Sequence, residues 1–190
     1  MERTARYLED LAGILRAAEA TLSDGRPVTL HEGLEQAIRM ITNRTGAGRK
    51  VIFIGNGGSA AIASHQAVDY WKNGGMRAVA FNDPSLLTCI SNDYGYSQVF
   101  EKPIEMFSDP GDVVIAISSS GRSDNILRGS RAALGKGCNL ITMSGFKPDN
   151  PLRAMGLVNF YAASSSYGHV EISHLALCHC ILDTIIERRA

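Results

Sequence analysis

Apolar residues at the start of the chain recur with the three- and four-residue spacing of an amphipathic helix. This spacing is shared by Leu8, Leu11, Ile14, Leu15, Ala18 and Leu22. It predicts one helix that continues to about Leu22 and ends in the polar segment 23–27, which contains glycine and proline. A second helix is predicted from about Leu30 to Asn43, because Leu34, Ile38 and Ile41 fall on one face.

After residue 50 the pattern changes to short, almost wholly apolar runs that alternate with longer helix-like segments. The runs, which have the length and composition of buried parallel strands, are 51–54, 78–81, 113–117, 139–143 and 158–161. The helix-like segments are 60–71, 84–107 (in two pieces), 124–134 and 170–188. Alternation of strand and helix predicts one α/β domain with a doubly wound parallel sheet and extra helices at its N-terminus.

Charge and composition narrow the range of partners. The 190 residues carry 19 basic and 19 acidic side chains, and no basic cluster interleaves with aromatic residues. We therefore expect no nucleic-acid and no membrane partner. The first 22 residues are charged throughout, unlike a signal peptide, and no stretch reaches the roughly 20 apolar residues of a membrane span. A soluble, cytoplasmic protein is expected, with its four cysteines as buried free thiols.

Two loops that follow predicted strands have unusual sequences. The glycine loop, residues 55–61, reads Gly-Asn-Gly-Gly-Ser-Ala-Ala, and the serine loop, residues 118–123, reads Ser-Ser-Ser-Gly-Arg-Ser. Glycines leave backbone N–H groups free to face an anion, and serine hydroxyls at a helix N-terminus suit a phosphate. Ligands of open parallel sheets bind at the carboxyl ends of the strands, so a phosphate site is predicted there. Each loop could also be an ordinary strand-to-helix turn with a helix cap.

The glycine loop also matches the Gly-x-Gly-x-x-Ala fingerprint of dinucleotide-binding proteins, with Asp83 near the position of a ribose-binding acid. Against this reading, the chain is short for a cofactor domain plus a substrate domain, and the serine loop has no role in the fingerprint. A phosphate-binding P-loop is excluded, because Gly-Lys-Ser/Thr does not follow the glycines. We expect no nucleotide cofactor.

Two pairs of titratable residues lie on predicted helices. His65 and Asp69 are four residues apart and share a face, and Glu171 and His179 are eight residues apart on nearly the same stripe of the last helix. These four side chains could transfer protons at neutral pH or could bind a divalent metal, and the spacing leaves both readings open. His174 points in a partly different direction.

Together with Asn92-Asp93-Tyr94-Gly95-Tyr96, the glycine and serine loops resemble those of the sugar isomerase (SIS) domain family, in its phosphoheptose isomerase branch. The resemblance covers nearly the whole chain. It implies one flavodoxin-like SIS domain over residues 1–190, in which a helical segment, 1–46, packs on the sheet or in an oligomer interface. It also implies a homotetramer with active sites between subunits.

The resemblance further implies roles for individual residues. The phosphate would be bound by Ser118, Ser119, Ser120 and Ser123, and the sugar by Asn56, Gly57, Gly58, Ser59, Asp93 and Glu171. The positions associated with zinc in the family are His65, Asp69, Glu171 and His179. Asp69 would act as the base and His179 as the acid. Asp69 stands where the family has glutamate and Glu171 where it has glutamine, and an arginine of the family is absent near Lys72 and Asn73.

The expected function is therefore an aldose–ketose isomerase of a sugar phosphate. The implied reaction converts sedoheptulose 7-phosphate into a heptose 7-phosphate through an enediol, as a base and an acid move a proton between neighbouring carbons. One alternative is a non-catalytic sugar-phosphate sensor or protein-binding adaptor on the same fold. The other is a small dinucleotide-binding protein.

Overall fold

A computed structural model describes residues 2–189 as one α/β domain built on a seven-stranded sheet. The strands are β1 (Glu19–Leu22), β2 (Pro27–Val28), β3 (Val51–Gly55), β4 (Ala78–Ala80), β5 (Val113–Ser118), β6 (Asn139–Gly145) and β7 (Val158–Ala162). The helices are α1 (Arg3–Arg16), α2 (Leu30–Gly46), α3 (Gly58–Lys72), α4 (Pro84–Tyr94), α5 (Glu101–Phe107), α6 (Asp124–Gly135) and α7 (Tyr167–Glu187). Two short 3₁₀ turns lie at Tyr96–Gln98 and Pro151–Ala154.

The central five strands are parallel, in the order β7-β6-β5-β3-β4. All five correspond to the apolar runs of the sequence, and every predicted helix after residue 50 is present within a few residues of its predicted ends. The helices that connect parallel strands begin at the carboxyl edge of the sheet, where both unusual loops also lie. The predicted α/β class with helices on both faces is confirmed.

The prediction of one N-terminal helix up to Leu22 is wrong. The helix α1 ends at Arg16, and β1 and β2 form a hairpin that pairs antiparallel with β7, which makes the sheet mixed. Ala18, Ala20 and Leu22 alternate as in a strand, and Ala20 is almost fully buried. The free edge of β7 offers backbone partners that local spacing does not reveal, so tertiary pairing overrides the helical pattern.

Two separate layers of apolar side chains cover the two faces of the sheet. Phe53, Ile115 and Ile141 alternate towards the face covered by α2, α3 and α7. Ile52, Ile54 and Val114 point to the opposite face, which α4, α5 and α6 cover. Because successive strand residues face opposite sides, each fully apolar run of the sequence supplies both layers.

Helix α7 is the one helix within residues 2–189 that is long and apolar enough to cross a membrane. Half of its most apolar window is buried inside the protein. Its buried side chains, among them Val170, Leu177 and Ile181, pack in the core. Because these side chains are buried, the apolar composition of α7 is that of a helix in the protein core.

The prediction that all four cysteines are buried is correct for two of them. Cys138 and Cys178 are buried and Cys89 and Cys180 are exposed, and all four are free thiols. Cys180 follows Cys178 by two residues on α7, and residues two apart on a helix face different directions. Burial raises the pKa of the Cys178 thiol to about 12, so this group stays protonated in the core.

His174 makes the stability of the fold depend on pH. Its ring is fully buried and hydrogen-bonds the carbonyl oxygen of Ser144 at 3.1 Å, and burial lowers its pKa from 6.5 to about 4. Between about pH 6.5 and pH 4, His174 is therefore protonated in the unfolded chain but neutral in the folded chain. The contribution of His174 to the free energy of unfolding is largest above this range and falls as the pH drops through it.

We expect urea unfolding to show a loss on the order of 2 to 3 kcal/mol from this group between about pH 7.5 and pH 4.5. The His174→Gln variant should lose correspondingly less over the same interval. The matched control is His31→Gln, which removes an exposed histidine. Equal losses in wild type and His174→Gln would contradict the assignment.

Candidate functional site

The glycine loop and the serine loop lie side by side at the carboxyl ends of the paired strands β3 and β5, and they enclose a cavity of about 260 Å³. Its lining consists of Asn56, Gly57, Gly58, Ser59, Ser118, Ser119, Ser120, Ser123, Tyr167 and Glu171. Of the ten residues predicted to bind the substrate, all but Asp93 line this cavity. We call it the serine cavity. It has the position that ligand sites take in open parallel sheets.

The shape of the serine loop is set by a neighbouring loop. Gly121 has a φ of +61°, and a Cβ there would strike the side-chain oxygen of Asn150. The buried amide of Asn150 donates hydrogen bonds to Ser144 Oγ at 3.2 Å and to the Lys147 carbonyl at 2.9 Å. Glycine is therefore required by the backbone conformation and by the close approach.

Two hydroxyls of the serine loop have no partner within residues 2–189. Ser118 Oγ accepts from the Gly121 N–H and Ser120 Oγ from the Arg122 N–H, both at 3.2 Å. The Ser119 hydroxyl is buried without a hydrogen bond, and Ser123 precedes α6 but does not cap it with its side chain. A buried donor without a partner is costly unless a ligand satisfies it, so the Ser119 hydroxyl indicates a polar ligand, and the half-buried Ser123 hydroxyl is available to the same ligand.

On the opposite wall, the glycine loop forms the first turn of α3. Gly57 has φ +53° and ψ −121°, and Gly55 packs so closely on Ser59 that a Cβ would lie 2.5 Å from its carbonyl oxygen. The carboxylate of Glu171 lies directly against Gly58, where any side chain would collide with it. A negative group at the N-terminal end of a helix is favoured by the helix dipole.

The side chain of Asn56 is held in place by Asn125, which the sequence analysis missed, and by Tyr96, which belongs to the motif at 92–96 but had no role assigned. Asn56 and Asn125 exchange two amide hydrogen bonds of 2.8 Å, and the Tyr96 hydroxyl donates to Asn56 Oδ1 at 3.0 Å. Asn125 is almost fully buried although it lies in the first turn of α6. The signal in the sequence that could have identified Asn125 was its position two residues after the serine loop. Tyr167, another residue of the cavity lining, was also missed.

His65, Asp69 and His179 form a second group that we call the histidine cluster. Their ligand atoms all lie within 4.8 Å of one another, with His65 Nε2 and Asp69 Oδ2 3.2 Å apart. Both α3 and α7 follow parallel strands, so their N-termini lie at one edge. His65 is seven residues beyond Gly58, and His179 is eight beyond Glu171, or about 10 to 12 Å further along the two helices. The cluster thus lies two turns from the serine cavity.

The histidine cluster fits a divalent metal. Zinc bonds of about 2.1 Å at a tetrahedral angle place neighbouring ligand atoms about 3.4 Å apart, close to the spacing of His65 and Asp69. Two imidazoles and one carboxylate are also a donor set of catalytic zinc sites, which keep a position open for water or substrate. Glu171, the predicted fourth ligand, does not belong to the cluster, because its carboxylate lies at Gly58.

Other candidate residues lie elsewhere. Asp93 is exposed near the end of α4, where its carboxylate accepts from the Asn92 amide at 2.9 Å and from the Cys89 thiol. Asp83 caps α4 by accepting from the N–H groups of Ser85 and Leu86, at 2.9 and 3.1 Å. The one acid that favoured a dinucleotide therefore has a structural role.

Comparison with known proteins gives concordant results for sequence and structure. The family model of the SIS domain matches residues 7–145. The chain is 40% identical to the phosphoheptose isomerase of Sodalis glossinidius over 72% of this chain and 71% of that one. It is 30% identical to the phosphoheptose isomerase of Geobacter sulfurreducens over 96% and 98% of the two chains. The structure of phosphoheptose isomerase GmhA from Neisseria gonorrhoeae superimposes with a TM-score of 0.85 at 28% identity, with 97% of each chain covered.

Proposed function

Because the chain belongs to the SIS domain family, and within it to the phosphoheptose isomerases, we propose that it converts sedoheptulose 7-phosphate into a heptose 7-phosphate. The chain is a sugar-phosphate isomerase, and the identity of the sugar is the finer part of the proposal. The main observation in support of the proposal is the distance between two parts of the site, the serine cavity and the histidine cluster. A cavity with unpaired serine hydroxyls lies two helical turns from a cluster that can transfer protons.

The serine cavity binds the phosphate in this proposal. Ser119 and Ser123 donate their free hydroxyls to phosphate oxygens, while Ser118 and Ser120 shape the loop. An extended seven-carbon sugar phosphate has a length comparable to two helical turns, so its other end reaches the histidine cluster. The phosphate then supplies binding energy that positions the reacting carbons without taking part in the chemistry.

The proton transfer is assigned to the cluster. Asp69 removes the proton from the carbon beside the carbonyl, and His179 donates a proton to the developing enediolate oxygen. Asp69 then returns its proton to the former carbonyl carbon while His179 takes back a proton from the neighbouring hydroxyl, which leaves the aldose. His65 contacts both, with its Nε2 3.2 Å from Asp69 Oδ2 and its ring centroid 5.4 Å from that of His179. Its role is to orient the base. Glu171 faces the sugar from the wall of the serine cavity, and Asp93 is retained as a sugar contact from the motif alone.

A zinc ion, if bound, would be held by His65, Asp69 and His179. Such an ion would polarise the sugar carbonyl as a Lewis acid when bound. The donor atoms support this proposal because they are already gathered at the spacing of metal ligands.

We also propose that the protein is a cytoplasmic homotetramer. Support comes from α1, which buries none of its side chains, and from large apolar residues on the outer faces of α3 and α7. Trp71 is 54% exposed, and Ile172 and Val68 are also exposed. Apolar surface of this kind is typical of protein interfaces. The segment 1–46 would contribute α1 to the interface and α2 to the sheet domain.

The test is turnover. Purified protein, with and without added zinc, is mixed with sedoheptulose 7-phosphate, and the heptose product is followed by NMR. The proposal is supported if sedoheptulose 7-phosphate yields product and sedoheptulose without the phosphate yields none. A protein that binds the sugar phosphate without turning it over under either condition would instead be a sensor or adaptor, and the isomerase assignment would be wrong.

A further inference from the structure

The serine cavity contains one charged side chain, and its charge is negative. Among the ten residues of the described chain that line it, Glu171 is the acid, and no lysine, arginine or histidine is present. Arg122, the cation of the serine loop, lies outside this lining and pairs with Asp149 at 3.1 Å. A phosphate bound in the cavity therefore meets a carboxylate that no cation of the lining neutralises. Binding of the phosphate has to overcome repulsion between two anions.

The Glu171 carboxylate occupies the wall of the cavity where a helix favours an anion. It lies against Gly58, the first residue of α3, so closely that a Cβ on Gly58 would collide with its carboxyl atoms. No hydrogen bond or ion pair within residues 2–189 holds it there. The positive end of the α3 dipole, which would otherwise act on a bound phosphate, is thereby partly neutralised by the carboxylate.

The two anions have little room to separate. The serine loop and the start of α3 form opposite walls of a cavity of about 260 Å³, and Glu171 is half-buried in it. A phosphate that accepts hydrogen bonds from Ser119 and Ser123 occupies the space between these walls and approaches the carboxylate. Like charges close together in a partly buried site repel strongly enough to change an affinity by at least about tenfold.

We infer that Glu171 is a specificity-determining residue, which makes the serine cavity discriminate against phosphates that carry no sugar. Such a ligand meets the repulsion of Glu171 and gains only the hydrogen bonds of the serine loop. The sugar phosphate meets the same repulsion, but its sugar makes further contacts, and the hydroxyl beside its phosphate can donate to the carboxylate. This inference rests on the proposed phosphate site.

Calorimetric titration at pH 8, where phosphate esters carry close to two negative charges, tests the inference. Glu171→Gln keeps the shape of the side chain and removes its charge, so it should bind methyl phosphate at least about tenfold more tightly than the wild type does. The gain for sedoheptulose 7-phosphate should be less than about threefold, because the charged hydrogen bond to the sugar hydroxyl is lost together with the repulsion. Discrimination against methyl phosphate should therefore fall at least about threefold.

Three controls show whether charge is the cause. Glu171→Ala introduces no N–H donor and should also bind methyl phosphate more tightly. Methyl sulfate has the shape of methyl phosphate but one negative charge, so its affinity should rise by a smaller factor, about threefold. Glu187→Gln makes the same substitution about 24 Å further along α7 and should bind all three ligands as the wild type does.

Two results would overturn the inference. The first is a methyl phosphate affinity that is unchanged or weaker in both Glu171 variants, with thermal melts showing that they are folded. The second is an equal gain for methyl phosphate and methyl sulfate, since repulsion by a carboxylate must depend on the charge of the ligand.

The same samples distinguish this inference from the proposed function. If the wild type turns over sedoheptulose 7-phosphate and the Glu171 variants show no gain for methyl phosphate, the isomerase stands and the role of Glu171 in specificity is wrong. If the variants show the charge-dependent gain and the wild type gives no turnover, the role of Glu171 stands and the isomerase assignment is wrong.

Discussion

Replacing Asp69 with asparagine is expected to lower kcat for sedoheptulose 7-phosphate by about 10²- to 10⁴-fold, the usual contribution of a positioned general base. The amide has nearly the same shape as the carboxylate but cannot accept the proton. The serine cavity lies about three turns from Asp69 along α3, so the affinity for the sugar phosphate should change by less than about threefold. Steady-state kinetics and calorimetric binding of the substrate measure the two quantities.

Asp183→Asn is the matched control, because Asp183 lies on the exposed side of α7 one turn beyond His179 and outside the cluster. Its kcat should equal that of the wild type. Zinc content is measured in all three proteins, since Asp69 is also a candidate ligand. An Asp69→Asn protein that retains full kcat would show that another group is the base, and Glu171 would be the next residue to test.

Removing the two free hydroxyls in Ser119→Ala/Ser123→Ala is expected to weaken sugar-phosphate binding by about 10²- to 10⁴-fold. A hydrogen bond to a charged group contributes about 1.5 to 3 kcal/mol, and each factor of ten in affinity is about 1.4 kcal/mol. Neither hydroxyl bonds to the described part of the protein, so the thermal stability should be kept or slightly raised. Calorimetry with sedoheptulose 7-phosphate and a thermal melt measure both effects.

Ser85→Ala provides the comparison, because Ser85 is an exposed serine in the first turn of α4 and does not line the serine cavity. Its affinity for the substrate should match that of the wild type. If the double variant binds the sugar phosphate as tightly as Ser85→Ala does, the phosphate does not lie on the serine loop, and its place between the two loops is wrong.

Much of the fold could be predicted because the parallel strands are apolar on both faces. Runs such as Val113–Ser118 are too short and too uniformly apolar for a surface helix, and the glycine and serine loops mark where they end. The N-terminal hairpin could not be predicted in this way. Ala18, Ala20 and Leu22 suit a helix and a strand equally, and the choice depends on the distant strand β7.

In the candidate site too, features set by residues close in the sequence could be predicted, and features set by tertiary packing could not. The serine cavity was predictable, since neighbouring parallel strands bring their loops to one edge of the sheet. Pairing of His65 with Asp69 followed from helical spacing. The separation of Glu171 from the histidine cluster could not be predicted in this way. Glu171 and His179 lie on nearly the same stripe of α7, but this does not specify in which direction the flexible Glu171 side chain points.

The sequence by itself determined the α/β class, the two loops that form the serine cavity and the helices that carry the histidine cluster. These features depend on periodicity and on residue types that are close in the chain. Only the tertiary structure decided the mixed edge of the sheet, the exchange of hydrogen bonds between Asn56 and Asn125, and the contact of the Glu171 carboxylate with Gly58. Each depends on segments distant in sequence, whose separation is set by packing of the whole core and not by local preference.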